Sequence, residues 1–436
     1  MEKIKIALCG FGTVGKGVYN IFENNKTDIL HKTGLEFEIA KILVRNREKY
    51  INDVNDSILT DNYNEIINNK EIDIVVELIG GIDSAKTIVI DSLKKGKSVV
   101  TANKAILAEF AREIIKTCYK YNSDVFFEAS VAGSIPIIKI FKESLCANKI
   151  ESFYGILNGT SNYILTKMID EKRDFQDVLK EAMKKGYAEA DPTLDIEGID
   201  ACHKLSILIS LAFDTIIDYN KIFTEGITKI SLDDIKFAEE LGYTIKLLAI
   251  AKNHNGNIEG RVHPTLIQKN SLLANVKDAY NAIFVNGNYV EKQLYFGKGA
   301  GRFPTASAVV SDIIDAAINI KNRCKGRRPA YSVFPEFLKP KRIMKIDEIQ
   351  SKYYIRFNVV DKPGVLSKIS GILGKNNISI EAVIQKGRDI LKKGSVPIVM
   401  ITHEAKEKNV RKALKIIDGL DIVKESSILL RIEENI

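Results

Sequence analysis

Cysteine is scarce: Cys9, Cys118, Cys146, Cys202 and Cys324 are the only five in 436 residues. They are odd in number and far apart, and no two form a C-x-x-C pair. That argues against a disulfide framework or a zinc site and for a reducing compartment. Long apolar runs are missing too. No window approaches the roughly 18 apolar residues of a spanning helix, and the opening M-E-K-I-K-I-A-L-C-G is too short in apolar residues for a signal peptide. A cytoplasmic protein with no membrane partner is expected. Tandem repeats and low-complexity tracts are also lacking. Nor does one sign of charge dominate: 64 Lys+Arg stand against 56 Asp+Glu, a net +8, with lysines scattered among acids. This favours a solvated surface and an anionic small-molecule ligand over nucleic acid. What is present, 45% apolar and 28% charged residues, suits a globular chain of two or three domains.

The N-terminus carries the first motif. Ile4 to Cys9 alternate and then fill with apolar side chains, G-F-G-T-V-G (Gly10, Phe11, Gly12, Thr13, Val14, Gly15) follows, and the helical pattern V-Y-N-I-F comes next. Strand, glycine turn and helix in that order are the context of a dinucleotide fingerprint: Gly10 for the tight turn, Gly12 for approach to a pyrophosphate, Gly15 for helix-on-strand packing. A second strand, Phe37 to Val44, ends in Arg45-Asn46-Arg47 rather than in an acid. A guanidinium there accommodates a 2′-phosphate, so NADP(H) is expected, with NAD(H) as the alternative. The spacing from Gly15 to this strand end is longer than the usual fingerprint. The apolar run Ile72 to Gly81, a helix through Ala85 to Lys95 and the strand ending at Thr101 continue a parallel sheet. Loops at the carboxyl ends of such strands line the ligand crevice, which places Thr101 and Lys104 there.

A strand Asp124 to Ser130 then leads into V-A-G-S-I-P, a small-residue loop whose carbonyls, with Glu128, could meet a hard monovalent cation; a plain turn before a helix at Ile137 to Leu145 is the alternative. From about Ile150 the pattern changes to a strand and then to N-G-T-S-N, read as the cap of a helix beginning near Tyr163. Free amides around Gly159 and Thr160 could take a substrate carboxylate, unless they are only an ordinary cap.

The centre of the chain is Gly186 to Lys204, G-Y-A-E-A-D-P-T-L-D-I-E-G-I-D-A-C-H-K. Five carboxylates (Glu189, Asp191, Asp195, Glu197, Asp200) precede an apolar helix over Cys202 to Phe213. Asp200 and Lys204 are four apart, a spacing that fits a surface ion pair. At the edge of a core, however, the lysine can exchange a proton beside carboxylates that hold a cationic group. Cys202 and His203 point about 100° apart on a helix and make no nucleophile-base pair.

Beyond, Leu232 to Leu241 is helical, and three strands with N-G-N hairpin signals at Asn255 to Asn257 and Asn286 to Asn288 predict a mixed sheet. F-G-K-G-A-G-R-F-P-T-A-S-A-V brings a second glycine-rich loop into a helix near Thr305, with Gly301 as a cofactor contact. A basic, proline-bearing linker follows. The last segment reads strand, D-K-P-G turn, helix, strand, strand, helix, strand, a ferredoxin-like unit.

Taken together, G-F-G-T-V-G, T-A-N-K-A, N-G-T-S-N-Y-I-L, G-Y-A-E-A-D-P, G-I-D-A-C-H-K-L and G-A-G-R-F-P-T-A-S-A-V resemble, in the family's order and across essentially the whole chain, homoserine dehydrogenases with a C-terminal ACT domain. The D-K-P-G-V-L turn is similar to that of ACT domains. The resemblance implies NADP-linked interconversion of L-aspartate 4-semialdehyde and L-homoserine. It implies Lys204 as acid-base group, Glu189 and Asp200 holding the amino acid, and Lys104 between nicotinamide and substrate. It further implies sodium bound by Glu128, Val131, Gly133 and Ile135, largely through main-chain carbonyls. Tyr187, Asp195, Gly159 and Thr160 complete the candidate substrate site, and Gly186 joins the cofactor contacts. An amino-acid effector, threonine, is expected at the Asp361 to Gly364 turn.

The expected fold class is α/β. Residues 1–130 form a Rossmann-type NADP-binding domain to which 300–325 return, and 131–300 an α+β mixed-sheet domain for substrate and dimerisation. A linker over 326–350 leads to a ferredoxin-like ACT domain over 351–436. A homodimer or homotetramer is expected. Two rival readings are another NADP-dependent reductase of small aldehydes and a non-catalytic, amino-acid-responsive nucleotide-binding regulator. The acid loop followed by Lys204 argues against the second.

Overall fold

A computed structural model describes residues 3–385, 395–434 and 436. The chain opens with β1 (Lys3–Cys9), α1 (Thr13–Asn24), α2 (Lys26–Thr33) and β2 (Glu36–Leu43). It continues through β3 (Leu59–Thr60), α3 (Asn64–Ile67), β4 (Ile74–Glu77), α4 (Asp83–Lys94), β5 (Ser98–Thr101), α5 (Lys104–Tyr121) and β6 (Val125–Phe126). Buried Ile, Val and Leu side chains on both faces of β1, β4 and β5 are what a parallel sheet covered by helices requires. The strands lie in the order β3-β2-β1-β4-β5-β6, every pair parallel. This doubly wound order turns at β1, where the glycine loop sits.

Next come α6 (Ile137–Lys139), β7 (Ile150–Ile156), α7 (Gly159–Glu171), α8 (Phe175–Lys184), α9 (Thr193–Ile196) and α10 (Ile199–Ala212). They are followed by β8 (Phe223–Thr224), α11 (Leu232–Glu240), β9 (Tyr243–His254), β10 (Asn257–Gln268), β11 (Tyr280–Gly287), β12 (Glu291–Lys298) and α12 (Arg302–Lys321). β9 and β10 pair antiparallel along their whole length across Asn255 and Gly256, both at positive φ. α12 packs on α1, where the missing side chain of Gly17 makes room: a Cβ there would stand 2.9 Å from that of Ala306. Ala306, Val309, Ile313, Ala316 and Ala317 share one core with Ile4, Ile6, Leu8 and Val18.

The C-terminal segment contains β13 (Arg342–Ile343), β14 (Gln350–Val360), α13 (Val365–Lys375), β15 (Ile380–Gln385), β16 (Ser395–Thr402), β17 (Ala405–Lys406), α14 (Glu407–Asp418) and β18 (Val423–Glu433). Its sheet runs β18-β14-β16-β15, antiparallel throughout, over a core of Tyr353, Phe357, Ile369, Met400 and Ile417, as a ferredoxin-like unit demands. The end of β18 also pairs in parallel with β10, Thr265 opposite Arg431.

By packing density the chain divides into two compact units. One holds 1–152, 203–219 and 281–341, the other 153–202, 220–280 and 342–436.

Four local expectations are corrected. The strand over Asp124 to Ser130 shrinks to Val125–Phe126, and a 3-10 turn over Glu128–Ser130 aims Glu128 at the start of α6. The helix over Ile137 to Leu145 keeps three α-helical residues before a wider π-helical turn at Ile140–Ser144. The helix placed at Tyr163 begins at Gly159, because Asn158 is its cap. The helix placed at Thr305 begins at Arg302, since Pro304 fits a first turn where no intrahelical N–H is needed. In addition, α12 is by length and composition apolar enough to cross a membrane, against the expectation that no window is; half of its apolar window is buried in the core just described. Within 326–350, Tyr331 is buried with its hydroxyl donating to the Leu107 carbonyl (3.2 Å), and β13 pairs with β10.

Candidate active site

One candidate site is a cleft of about 790 Å³ above the carboxyl ends of β1, β2 and β4, lined among others by Gly10, Phe11, Gly12, Arg45, Lys49 and Tyr50. Gly10 has φ +107, and a Cβ there would meet the Leu78 carbonyl oxygen at 2.7 Å; one on Gly15 would meet the Gly10 oxygen at 2.4 Å. Only glycine satisfies both positions. Gly12, by contrast, has nothing within 4 Å of where a side chain would stand, so a phosphate can come against its backbone. α1 starts after Gly12 without a side-chain cap, which makes an anion the natural partner of its first-turn amides at Thr13, Val14 and Gly15. These residues fit a dinucleotide.

The rim is basic. Arg45, Asn46 and Lys49 line the cleft and are exposed, whereas Arg47 is tied to Asp56 at 2.8 Å. Lys49 lay outside the sequence reading; its ammonium stands over the Tyr50 ring, 5.6 Å from the centroid. Thr101 is buried at the carboxyl end of β5, and its hydroxyl donates to Glu77 (2.6 Å). Glu77 also accepts from the Ile79 amide (2.9 Å). Burial pushes its carboxyl up, and the Thr101, Ile79 and Gly80 donors offset part of that rise. Asn103 caps α5 by accepting from the Ala105 and Ile106 amides, setting half-buried Lys104 at the first helical position. Gly301, at φ +131, is the N-cap of α12.

A separate cluster, in the other compact unit, is built from the acidic loop. Asn158 is 5% exposed and uses both ends of its side chain. Its oxygen caps α7 at the Ser161 amide (2.8 Å), and its nitrogen donates to Asp195 (2.7 Å) and to Asp200 (2.8 Å). Ser161 donates its hydroxyl to the Asp195 carbonyl (2.8 Å). Thr160 donates to the Tyr187 carbonyl (2.7 Å), and the Tyr187 ring lies against Tyr163, centroids 4.6 Å apart. Gly159 leaves no room for a Cβ, which would stand 2.9 Å from the Ala279 carbonyl. Asp200 is buried on α10, and Lys204 follows it by one turn of that helix, half-buried. The other loop acids part company: Asp191 takes the Thr193 amide and hydroxyl, and Glu197 takes the Thr228 hydroxyl. Gly186, at φ +74, and Glu189 are exposed. In the sequence Asp195 and Asp200 stand out, whereas Asn158, within N-G-T-S-N, is marked only as part of a helix cap.

The Glu128 loop is tightly used. The carboxylate oxygens accept from the Ile138 (2.8 Å) and Lys139 (2.9 Å) amides, and the Ile135 carbonyl accepts from Ile137 (2.7 Å). Val131 is extended, while Ala132 and Gly133 have positive φ; a Cβ on Gly133 would meet the Gly299 oxygen at 2.6 Å. Burial, then nearby Asp312, pushes the Glu128 carboxyl up to about 8. Among the described residues no group of three or more His, Cys, Asp or Glu could hold a metal ion. A monovalent cation here would share the Glu128 and Ile135 oxygens with those amides. Gly364, at φ +88, caps α13, and a Cβ there would have nothing within 4 Å; Asp361 beside it is exposed.

A 3-2-1-4-5-6 parallel sheet with a glycine loop shaped for a pyrophosphate, joined to a mixed-sheet unit with paired carboxylates, defines an NAD(P)-dependent oxidoreductase. Residues 10–128 match the family model "Homoserine dehydrogenase, NAD binding domain", 136–314 match "Homoserine dehydrogenase" and 353–421 match "ACT domain". The chain belongs to the homoserine dehydrogenase family. It is 44% identical to the homoserine dehydrogenase of Neisseria gonorrhoeae over 99% of both chains, and 42% identical to that of Pseudomonas aeruginosa over 100% of both. A solved homoserine dehydrogenase from Thiobacillus denitrificans superimposes with a TM-score of 0.94 at 44% identity, covering 100% of this chain and 99% of that one. A hyperthermophilic archaeal homoserine dehydrogenase solved with NADPH covers 73% of this chain and 98% of its own, at 26% identity and a TM-score of 0.61.

Proposed function

We propose that the chain catalyses the reversible NADP(H)-linked interconversion of L-homoserine and L-aspartate 4-semialdehyde, a step toward threonine, methionine and isoleucine. The observation that carries this reading is Asn158 holding Asp195 and Asp200 together one helical turn ahead of Lys204. Two carboxylates fixed in one place suit an α-ammonium, with Glu189 and Tyr187 beside them, and the first amides of α7 at Gly159 and Thr160 suit the α-carboxylate.

When bound, the nicotinamide supplies or accepts the hydride. Lys204 gives its proton to the aldehyde oxygen in reduction and removes it from the hydroxyl in oxidation. Lys104 adds a positive charge for the developing alkoxide. The glycine loop from Gly10 to Gly15 takes the pyrophosphate, Gly186 and Gly301 add backbone contacts, and Arg45 with Lys49 takes the 2′-phosphate.

Sodium or a similar cation belongs in this reading at Glu128, Val131, Gly133 and Ile135, and threonine at the Asp361 to Gly364 turn of the ACT domain as effector. The working form is a cytoplasmic homodimer or homotetramer. Following NADPH absorbance with aspartate semialdehyde, with and without threonine, tests the reading. Saturable NADPH oxidation faster than NADH oxidation supports it, and no oxidation with either cofactor overturns it.

A further inference from the structure

A second pocket lies in the compact unit that also holds the acidic loop, and none of its lining residues is one assigned to substrate or effector. It measures about 480 Å³ and sits on α14 and β18, against the segment after β8. Its floor is apolar: Ile230, Pro264, Leu414 and Leu430. Three cations, Lys229, Arg411 and Lys415, are exposed around the opening, together with Asp418, whose carboxylate accepts from the Ser427 amide (3.1 Å) and hydroxyl (2.5 Å). Arg411 is held in place, its guanidinium stacked on Phe223 (5.2 Å) and donating to Glu407 (2.8 Å). At the inner wall Arg431, 1% exposed, donates to Glu225 (3.0 Å) while its other nitrogens reach Glu407.

The Glu225 segment leads to the acidic site. Ile227 donates its amide to the Ile196 carbonyl (2.8 Å), and Thr228 bonds Glu197 (3.1 Å). Gly226 is pressed so closely on α9 that a Cβ would meet Glu197 Cα at 2.5 Å. α9 carries Asp195, which Asn158 holds. Arg431 thus connects the inner wall of the pocket, through Glu225, to the segment packed on α9.

We propose that this pocket binds a small aliphatic carboxylate, anionic head toward Arg431 and the Lys229–Arg411–Lys415 rim and apolar tail on Leu414, Leu430 and Ile230, and that occupancy weakens amino-acid substrate binding through Glu225 to Ile227. The volume falls within the roughly 300–1,000 Å³ of small-molecule sites, and an apolar floor with a few convergent polar groups is their usual lining. The pocket is distinct from the Asp361 to Gly364 turn, which joins β14 to α13. The proposal rests on the homoserine reading for one readout only.

The test titrates the full-length chain calorimetrically with 4-methylpentanoate and, as a cationic counterpart of the same shape, 4-methylpentan-1-amine. The carboxylate is expected to bind saturably and the amine not at all. In the double variant Lys229→Glu/Lys415→Glu, both exposed positions outside the catalytic set, carboxylate affinity should fall about tenfold or more while basal kinetics stay unchanged. Saturating carboxylate should raise KM for homoserine about fivefold and leave KM for NADP+ alone. Equal binding by the amine, undiminished binding by the double variant, or a parallel rise in both KM values overturns the proposal. Should homoserine fail as substrate, the titration and its loss in the variant still decide the site.

Discussion

At the scale of single residues, the geometry separates two jobs of Asn158, capping α7 and bridging two carboxylates. Serine can take the first but not the second. Asn158→Ser should therefore raise KM for homoserine about tenfold, the loss of roughly 1.4 kcal/mol of binding, a typical worth for hydrogen bonds to charged groups. It should change folding stability by less than about 1 kcal/mol, while Asn158→Ala should also lose about 1 kcal/mol of stability from the cap. Steady-state kinetics and denaturant melts check both; an unchanged KM in Asn158→Ser would show that the bridge does nothing for the substrate. The sequence made the acids and Lys204 readable because they crowd one stretch. It could not reveal their asparagine, which lies 37 and 42 residues from its partners and whose nearer signal was only that of a helix cap. Lys49 escaped for a similar reason: one lysine among many in a polar stretch after β2 carries no local mark of facing a cleft.

Elements were legible where a period or a glycine marked them and blurred where a side chain decided the boundary. β1, β4, β5 and the β9–β10 hairpin follow directly from apolar runs and N-G-N turns. β6 stops early because Glu128 turns to the amides of α6, a contact that no strand pattern announces. β9 also carries a lysine that strand alternation does not explain. Lys246 is 2% exposed and donates to Asn162 and to the Val276 carbonyl, and burial, the dominant cause, pulls its ammonium down to about 8. In the unfolded chain the same group titrates near 10.5, so between about pH 8 and 10.5 the unfolded state binds more protons and stability rises with pH. Below pH 8 the full cost of the buried charge is present. Lys246→Met should thus gain on the wild type most at pH 7 and least at pH 10 in chemical denaturation; a pH-independent difference would mean that the lysine is not the group titrating.

For the whole molecule, the sequence conveyed the order of modules but not how tightly the C-terminal one is built into its unit. A ferredoxin-like segment after a proline-bearing stretch reads as an appendage, yet β18 pairs with β10, and Glu433 reaches Arg261, which is 1% exposed, and Lys252 (2.9 Å). Such non-local pairing leaves no trace in local composition. Ending the chain at residue 345 strips Arg261 of Glu433, and breaking a buried pair costs about 3–5 kcal/mol, a large share of a domain's roughly 5–15. The truncated chain is expected to aggregate or melt at far lower temperature, read by scattering and circular dichroism. A soluble, fully active 345-residue chain would refute this integration.

In the proposed function Lys204 moves the proton, and steady-state turnover of Lys204→Ala alongside NADPH titration of the same variant tests that role most directly. The prediction is kcat lowered about 10²-fold or more with NADPH affinity within about twofold of the parent. Turnover near the parent's, or a loss explained entirely by failure to bind NADPH, would contradict it.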